Sequence, residues 1–173
     1  TPPFDQINTF NATHPFLEIR ESTIPGLPPN HNLGLFSTAY LPSDTNLGTY
    51  TGELLTYSQY HDRYPNNDCR YSFPAGDCPD HSANDNCECK EACPHIHYYL
   101  DASSALVGSH TRYINDCGTD GTPNVSPILL KSTITFYPCV PFITPGTELL
   151  YDYGDSYPWN GDRHNPPSPP LSP

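Results

Sequence analysis

The sequence predicts a mainly β fold of small sheets, with few short helices and a proline-rich C-terminal tail. Short runs of alternating apolar and polar residues recur along the chain, separated by clusters of Gly, Pro and Asn that are typical of turns. Proline accounts for 22 of the 173 residues, against a usual share of ~5%, and it disfavours helix interiors. The length is that of one domain with room for short extensions.

The N-terminal part is predicted to form an arm followed by three strands. Residues 1–15 are assigned to the arm, and the string F-L-E-I-R of residues 16–20 alternates as a short strand does. A loop rich in Pro, Gly and Asn follows over residues 25–32. Residues 33–38 and 47–53 predict two further strands, with a turn at residues 42–44 between them.

The middle of the chain is predicted to be an insert of about residues 57–97, because the alternation gives way there to polar, aromatic and cysteine-rich sequence. Within it, residues 58–64 suggest a short helix. Strand-like runs return at residues 98–102, 128–136 and 148–151. The tail includes the string H-N-P-P-S-P-P-L-S-P at residues 164–173, which favours extended polyproline II. We therefore expect one domain over residues 16–159 and a tail over residues 160–173.

The charge balance indicates which partners the chain can bind. Nineteen acidic residues against seven lysines and arginines give a net charge of −12. Direct binding of nucleic acid requires a basic surface, so nucleic acid is not an expected partner. An acidic surface instead attracts basic ligands, such as peptides rich in Lys and Arg. No apolar run reaches 18 residues, and the sequence therefore predicts no transmembrane helix.

Four strings occur in order along the chain and carry its chemistry. They read N-L-G-L-F at residues 32–36, Y-T-G-E at 50–53, R-Y-I-N-D at 112–116 and E-L-L-Y-D-Y-G at 148–154. In this order they resemble the motifs of the SET domain, the fold of many protein-lysine methyltransferases. The resemblance implies a divergent member with a β-clip-like arrangement of small sheets and a pseudoknot.

The resemblance also implies a site for S-adenosylmethionine. The first string is similar to the family's G-x-G-L-F loop, whose backbone lies against that cofactor, and here Asn32 replaces the first glycine. The third string is similar to R-F-I-N-H-x-C, with Asp116 in place of the usual histidine and Gly118 in place of the cysteine. An aromatic residue after the fourth string often covers the adenine. The implied cofactor residues are Asn32, Leu33, Gly34, Leu35, Arg112, Asn115, Asp116 and Trp159.

Three tyrosines are implied as catalytic residues, namely Tyr50, Tyr151 and Tyr153. Transfer of a methyl group from a sulfonium to lysine is an in-line displacement, which needs alignment and a neutral amine. Free lysine has a pKa of about 10.4, which an apolar channel and a nearby positive charge lower. Tyrosine hydroxyls suit such a channel because they hydrogen-bond without carrying charge. Tyr153 would orient the amine, and Tyr151, where the family has Phe or Tyr, favours transfer of a single methyl group.

The cysteines support two interpretations. Five of the seven lie between Cys69 and Cys93, and none follows Cys139, so the family's zinc-binding cysteines after the last motif are absent. Four thiolates could hold a structural zinc ion. Disulfides in an oxidising compartment are the competing interpretation, and the spacing suits either. The candidate ligands are Cys78, Cys87, Cys89 and Cys93.

A second functional hypothesis comes from features of secreted proteins. Asn11 and Asn124 begin N-glycosylation sequons, and the Ser-Pro-Pro tail resembles extracellular, O-glycosylated segments. A glycosylated, non-catalytic SET-fold subunit of an extracellular assembly, such as a fibre of like subunits, is therefore the alternative to the methyltransferase. These features favour a secreted protein, and secretion favours the subunit. An active enzyme is instead expected in the nucleus or cytoplasm, because extracellular S-adenosylmethionine is scarce.

Overall fold

The computed structural model describes residues 4–25, 32–65, 71–75, 98–104, 108–118, 121–130 and 133–154. The elements in chain order are α1 (Phe4–Thr13), β1 (Leu17–Glu21), β2 (Leu33–Ser37), β3 (Leu41–Pro42), β4 (Gly48–Tyr50), β5 (Glu53–Thr56), α2 (Tyr57–Arg63), β6 (Ser72–Pro74), β7 (Tyr98–Asp101), β8 (Asn115–Asp116), β9 (Val125–Leu130), β10 (Thr133–Pro138), β11 (Phe142–Ile143) and β12 (Leu150–Tyr151). A 3-10 helix, His110–Tyr113, precedes β8.

The predicted mainly β architecture is confirmed. Within the described residues the strands form five sheets of two or three strands, with the orders β1-β2, β4-β10-β9, β11-β3, β12-β8 and β5-β7-β6. The chain divides into two compact units. The first comprises Thr1–Leu47, Tyr113–Ser126 and Tyr137–Pro173, and the second comprises Gly48–Arg112 and Pro127–Phe136. None of the described helices has the length and apolar character that a membrane span requires.

The first unit is built around the antiparallel pair β1 and β2. Leu17 lies opposite Ser37 and Glu21 lies opposite Leu33. Alternate residues of β1 are buried, whereas four consecutive residues of β2 are buried, so β2 is covered on both of its faces. The Arg20 guanidinium lies 3.6 Å from the centre of the Phe36 ring, and covers that aromatic side chain.

Most of the predicted N-terminal arm is the helix α1, which the sequence did not predict. Ile7, Phe10 and His14 are half-buried and lie three to four residues apart, the spacing of one helix face. Asn11 then fastens the helix to β1, since its Nδ2 donates to Ile19 O over 2.8 Å and its Oδ1 accepts from Ile19 N over 2.7 Å. The sequence did not predict this helix because its apolar residues are few and stand in a mostly polar segment.

The second unit contains the predicted short helix, α2. Thr56 caps its first turn and exchanges hydrogen bonds with Gln59 in a capping box. The predicted strand over residues 47–53 is divided into β4 and β5 at Gly52, where a Cβ atom would lie 2.7 Å from the carbonyl group of Asp101. The predicted strand over residues 128–136 is likewise two neighbouring strands, β9 and β10.

An ionic network fastens α2 to its sheet. Asp101, 1% exposed, accepts hydrogen bonds from Arg63 Nη1 at 3.0 Å, Tyr64 OH at 2.7 Å and Ser103 N at 2.9 Å. Arg63 also binds Glu53 over 2.7 Å. Burial alone would raise the pKa of Asp101, but these hydrogen bonds hold it below its usual range. The carboxylate therefore stays charged at neutral pH and holds the helix against β7.

Candidate functional site

The third and fourth strings lie side by side in the first unit. Strands β8 and β12 pair in parallel, with Leu150 opposite Asn115 and Tyr151 opposite Asp116. The ladder continues for one more rung, in which Cys117 N donates to Tyr151 O over 3.0 Å. Residues 35 positions apart in the chain are thereby placed next to each other, as the resemblance implied.

The first string joins the fourth through backbone contacts. Leu149 N donates to Leu35 O over 2.8 Å, and Phe36 forms an antiparallel bridge with Glu148. Gly34 faces the same residue, because a Cβ atom added to Gly34 would fall on Glu148 Oε1 and lie 3.1 Å from the Phe36 ring. The glycine at this motif position is therefore required by packing inside the unit.

Asn115, in the third string, contacts the first and fourth strings through its side chain. Its Nδ2 donates to Leu33 O over 3.0 Å and to Glu148 Oε1 over 3.1 Å. One amide group thus links β2, β8 and the segment before β12. Asn115 was a predicted cofactor residue, and the structure places it against the loop string that was predicted to share that role.

Glu148 is the centre of a polar cluster that sequence reasoning missed. It is 6% exposed. Its Oε1 accepts from Ser22 Oγ at 2.6 Å, and its Oε2 accepts from Thr23 N at 2.8 Å and Thr23 Oγ1 at 2.6 Å. With the Asn115 contact, every carboxylate oxygen accepts two hydrogen bonds. Glu148 stood inside a recognised string, but nothing in the sequence pointed to Ser22 and Thr23 as its partners.

Tyr153 is held at two points by the segment before and within β8. Its hydroxyl donates to Ile114 O over 2.8 Å, and its backbone N–H donates to Asp116 Oδ1 over 2.9 Å. The ring of Tyr151, which is 9% exposed, lies 4.4 Å from the Tyr153 ring, centre to centre. The structure therefore brings these two predicted catalytic tyrosines together.

The second unit contains Tyr50 and Arg112. Tyr50 is buried in β4, donates its hydroxyl proton to Tyr71 O over 2.8 Å and packs against the Phe73 ring. Arg112 Nη2 donates to Ser103 O over 3.2 Å, and its guanidinium lies 4.1 Å from the centre of the Tyr71 ring. Within this unit both side chains are engaged by groups that hold the local structure.

The remaining predicted residues have different outcomes. Asn32 is described, and its Nδ2 donates to Glu21 Oε1 over 2.9 Å. Trp159 and the four candidate zinc or disulfide cysteines lie outside the described residues, so their roles stay predictions. Among the described residues, Asp116, Cys117 and Asp152 place one potential metal-ligand atom each within 4.8 Å of one another. None of these three was a predicted metal ligand.

Both sequon asparagines form hydrogen bonds with backbone groups through their side-chain amides. Asn11 fastens α1 to β1 as described above. Asn124 Nδ2 donates to Glu148 O over 2.7 Å, and its Oδ1 accepts from Leu150 N over 2.9 Å. These contacts give each asparagine a structural role in the first unit.

Comparison with known proteins agrees with this arrangement. The methyltransferase domain of human PR domain-containing protein 2 is similar with a TM-score of 0.60 and 17% identity, and 90% of each chain is covered. A chain of ctPRC2, in an autoinhibited conformation bound to S-adenosylmethionine, is similar with a TM-score of 0.54 and 22% identity, over 83% of this chain and 16% of that one. KRYPTONITE, solved in complex with mCHH DNA, an H3(1-15) peptide and SAH, is similar with a TM-score of 0.52 and 22% identity. That match covers 80% of this chain and 23% of the KRYPTONITE chain.

These likenesses at low identity establish the fold, and the chain spans less than a quarter of the ctPRC2 and KRYPTONITE chains. The sequence itself matches a family model over residues 32–154, which include all four strings. That match covers well over half of the chain, and the chain therefore belongs to the SET domain family.

Proposed function

We propose that this chain is an S-adenosylmethionine-dependent protein-lysine N-methyltransferase that adds a single methyl group. The observation that carries the proposal is the side chain of Asn115, which joins Leu33 of the cofactor-loop string to Glu148 of the tyrosine string. This link supports a cofactor loop and a catalytic tyrosine that belong to one organised site. Family membership, and neighbours solved with S-adenosylmethionine or SAH, point in the same direction.

The predicted cofactor residues of the first unit are chemically suited to S-adenosylmethionine. They offer backbone groups, two side-chain amides and one carboxylate, and none of them has a basic side chain. A positive sulfonium is compatible with such a set, because no like charge opposes it. We assign the backbone of residues 32–35 and the amide of Asn115 to holding the cofactor, which supplies an electrophilic methyl group when bound. Arg112 and Trp159 keep the roles that the resemblance implies.

Tyr153 is the residue we assign to orienting the lysine amine. Since its hydroxyl proton is donated to Ile114 O, the phenolic oxygen offers acceptor capacity to a substrate. An acceptor there can bind an N–H of a neutral amine and direct the nitrogen lone pair toward the methyl group. Alignment of this kind contributes several kcal/mol to the rate of a displacement. Tyr50 keeps the channel-lining role that the resemblance implies.

A basic, lysine-containing peptide or protein is the substrate class we propose. The chain carries a net charge of −12, which favours encounter with positively charged segments. One structural neighbour was solved with an H3(1-15) peptide, so the fold accommodates such a ligand in that protein.

The alternative, an extracellular glycosylated subunit, receives no support from the described residues. Both sequon asparagines hold backbone groups through their side-chain amides, and Asn124 is half-buried. We propose the nucleus or cytoplasm as the location, because the proposed activity requires S-adenosylmethionine, which is scarce outside the cell. Glycosylated protein from the native source would contradict that location.

The single-methyl preference is tested by replacing Tyr151 with phenylalanine. The hydroxyl that limits the space around the amine is then lost, and we expect dimethyl-lysine to appear where the unmodified chain yields only monomethyl-lysine. Mass spectrometry of an H3(1-15) peptide and of a basic lysine-peptide library, each incubated with S-adenosylmethionine, measures the product ratio. Tyr40→Phe, which removes an exposed hydroxyl, is the matched control and should leave the ratio unchanged. Dimethyl product from the unmodified chain at low enzyme concentration would contradict the preference.

A further inference from the structure

Asp116 stands where the family usually has histidine, and both of its carboxylate oxygens accept a backbone hydrogen bond. Oδ1 accepts from Tyr153 N over 2.9 Å, and Oδ2 accepts from Gly118 N over 2.8 Å. Gly118 has a φ of +72°, so the chain turns sharply immediately after the carboxylate. The two acceptors therefore connect that turn to the segment that carries the predicted catalytic tyrosine.

The contact with Tyr153 extends the parallel ladder between β8 and β12. Its last backbone rung is the hydrogen bond from Cys117 N to Tyr151 O. Two residues further along, the Asp116 side chain supplies the acceptor for Tyr153 N. The hydrogen bond from Tyr153 N to the Asp116 side chain thus extends the pairing of the two segments beyond the last backbone hydrogen bond.

We propose that Asp116 is a positioning residue for Tyr153, and that its carboxylate performs this role instead of contacting the cofactor. Tyr153 donates one hydrogen bond from its backbone N–H to Asp116 and another from its hydroxyl to Ile114 O. Ile114 lies two residues before Asp116 on the same segment. With both ends fixed to one segment, the direction of the phenolic oxygen is set by residues 114–116. The catalytic consequence rests on the proposed methyltransferase function, whereas the clamp itself does not.

The chemistry of the clamp explains why a carboxylate stands at this position. Two N–H donors converge on the side chain, and an ionised carboxylate is an acceptor at both of its oxygens. An asparagine would present one oxygen and one NH2 group, so one of the two N–H donors would face another donor. A neutral imidazole offers a single acceptor nitrogen. Of these side chains, aspartate alone satisfies both backbone groups at once.

Amide hydrogen exchange measured by NMR on the full chain tests the clamp without any need for activity. In Asp116→Ala, we expect the N–H groups of Tyr153 and Gly118 to exchange roughly 3- to 10-fold faster, relative to the N–H of Leu149, which is bound to Leu35 O in the same unit. In Asp116→Asn, only one of the two should accelerate. Asp44→Ala, which removes an exposed carboxylate from a turn, is the control. Unchanged protection of Tyr153 in Asp116→Ala would overturn the proposal.

The positioning role is then tested by binding and turnover of the same variants. We expect Asp116→Ala, which removes both acceptors, to reduce kcat about tenfold or more while the Kd for S-adenosylmethionine changes less than about threefold, since a misplacement of catalytic groups costs rate. In a Tyr153→Phe background the penalty of Asp116→Ala should shrink, because both changes act through one hydroxyl. A raised Kd with unchanged kcat would overturn the proposal in favour of cofactor contact. If the unmodified chain neither binds the cofactor nor transfers methyl groups, the proposed function fails, and the exchange experiment still decides the clamp.

Discussion

Replacing Tyr153 with phenylalanine is expected to reduce methyl transfer by about 10²- to 10³-fold, the range found when one preorganised polar group is removed from an active site. The hydroxyl is fixed by its 2.8 Å hydrogen bond to Ile114 O, which holds the phenolic oxygen in one orientation. Phenylalanine keeps the ring that packs against Tyr151 and keeps the backbone contact with Asp116. The loss should therefore fall on kcat, with the Kd for S-adenosylmethionine nearly unchanged.

Single-turnover transfer from labelled S-adenosylmethionine to a basic lysine peptide measures this effect. The same substitution also removes one hydrogen bond, worth about 1 kcal/mol of folding free energy, so the assay must run well below the unfolding temperature of the variant. Tyr40→Phe, exposed and stacked on Phe142, is the control for loss of a phenolic hydroxyl. A Tyr153→Phe variant that keeps activity within about threefold of the unmodified chain would remove Tyr153 from the mechanism.

The second large effect is expected on stability, from replacing Glu148 with alanine. The carboxylate is buried and accepts hydrogen bonds from Ser22, Thr23 and Asn115. Its removal leaves these partly buried or exposed donors without that acceptor and opens space beside Gly34. We expect the free energy of unfolding to fall by about 3 kcal/mol or more, since each hydrogen bond to a charged group contributes about 1.5–3 kcal/mol.

Chemical denaturation of three variants separates this effect from simple loss of charge. Glu148→Gln keeps the shape but turns an NH2 group toward hydrogen-bond donors, so an intermediate loss is expected. Glu18→Gln removes a carboxylate that is partly exposed and paired with Arg20 at 2.8 Å, and it should change stability by less than about 1 kcal/mol. Equal stability of Glu148→Ala and Glu18→Gln would show that the cluster does not organise the first unit.

The sequence predicted much of the fold because its strands are short and separated by strong turn signals. Residues 16–20 and 33–38 were predicted as strands, and β1 and β2 occupy nearly those positions. Helix α1 escaped because its apolar stripe consists of a few partly buried residues in a polar segment. The division of residues 47–53 depends on the close approach of Gly52 to Asp101, a contact between distant parts of the chain that local pattern cannot reveal.

The candidate site was predictable only where its residues belong to recognisable strings. Asn115, Tyr151 and Tyr153 were identified in that way, and the structure supplies the contacts that connect them. Ser22 and Thr23 carry no such signal, because their partner Glu148 lies more than 120 residues away. Long-range hydrogen bonds of this kind are fixed by tertiary packing, and no periodicity or local propensity records them.

Calorimetric titration with S-adenosylmethionine and its demethylated product measures whether the first unit forms a working cofactor site. We expect both ligands to bind the unmodified chain at micromolar concentration or tighter. We also expect Asn115→Ala to weaken binding by about tenfold or more while the variant remains folded by circular dichroism, because the link between Leu33 and Glu148 is lost. Absence of any binding heat from well-folded, unmodified protein over a range of temperatures would show that the first unit does not bind the cofactor.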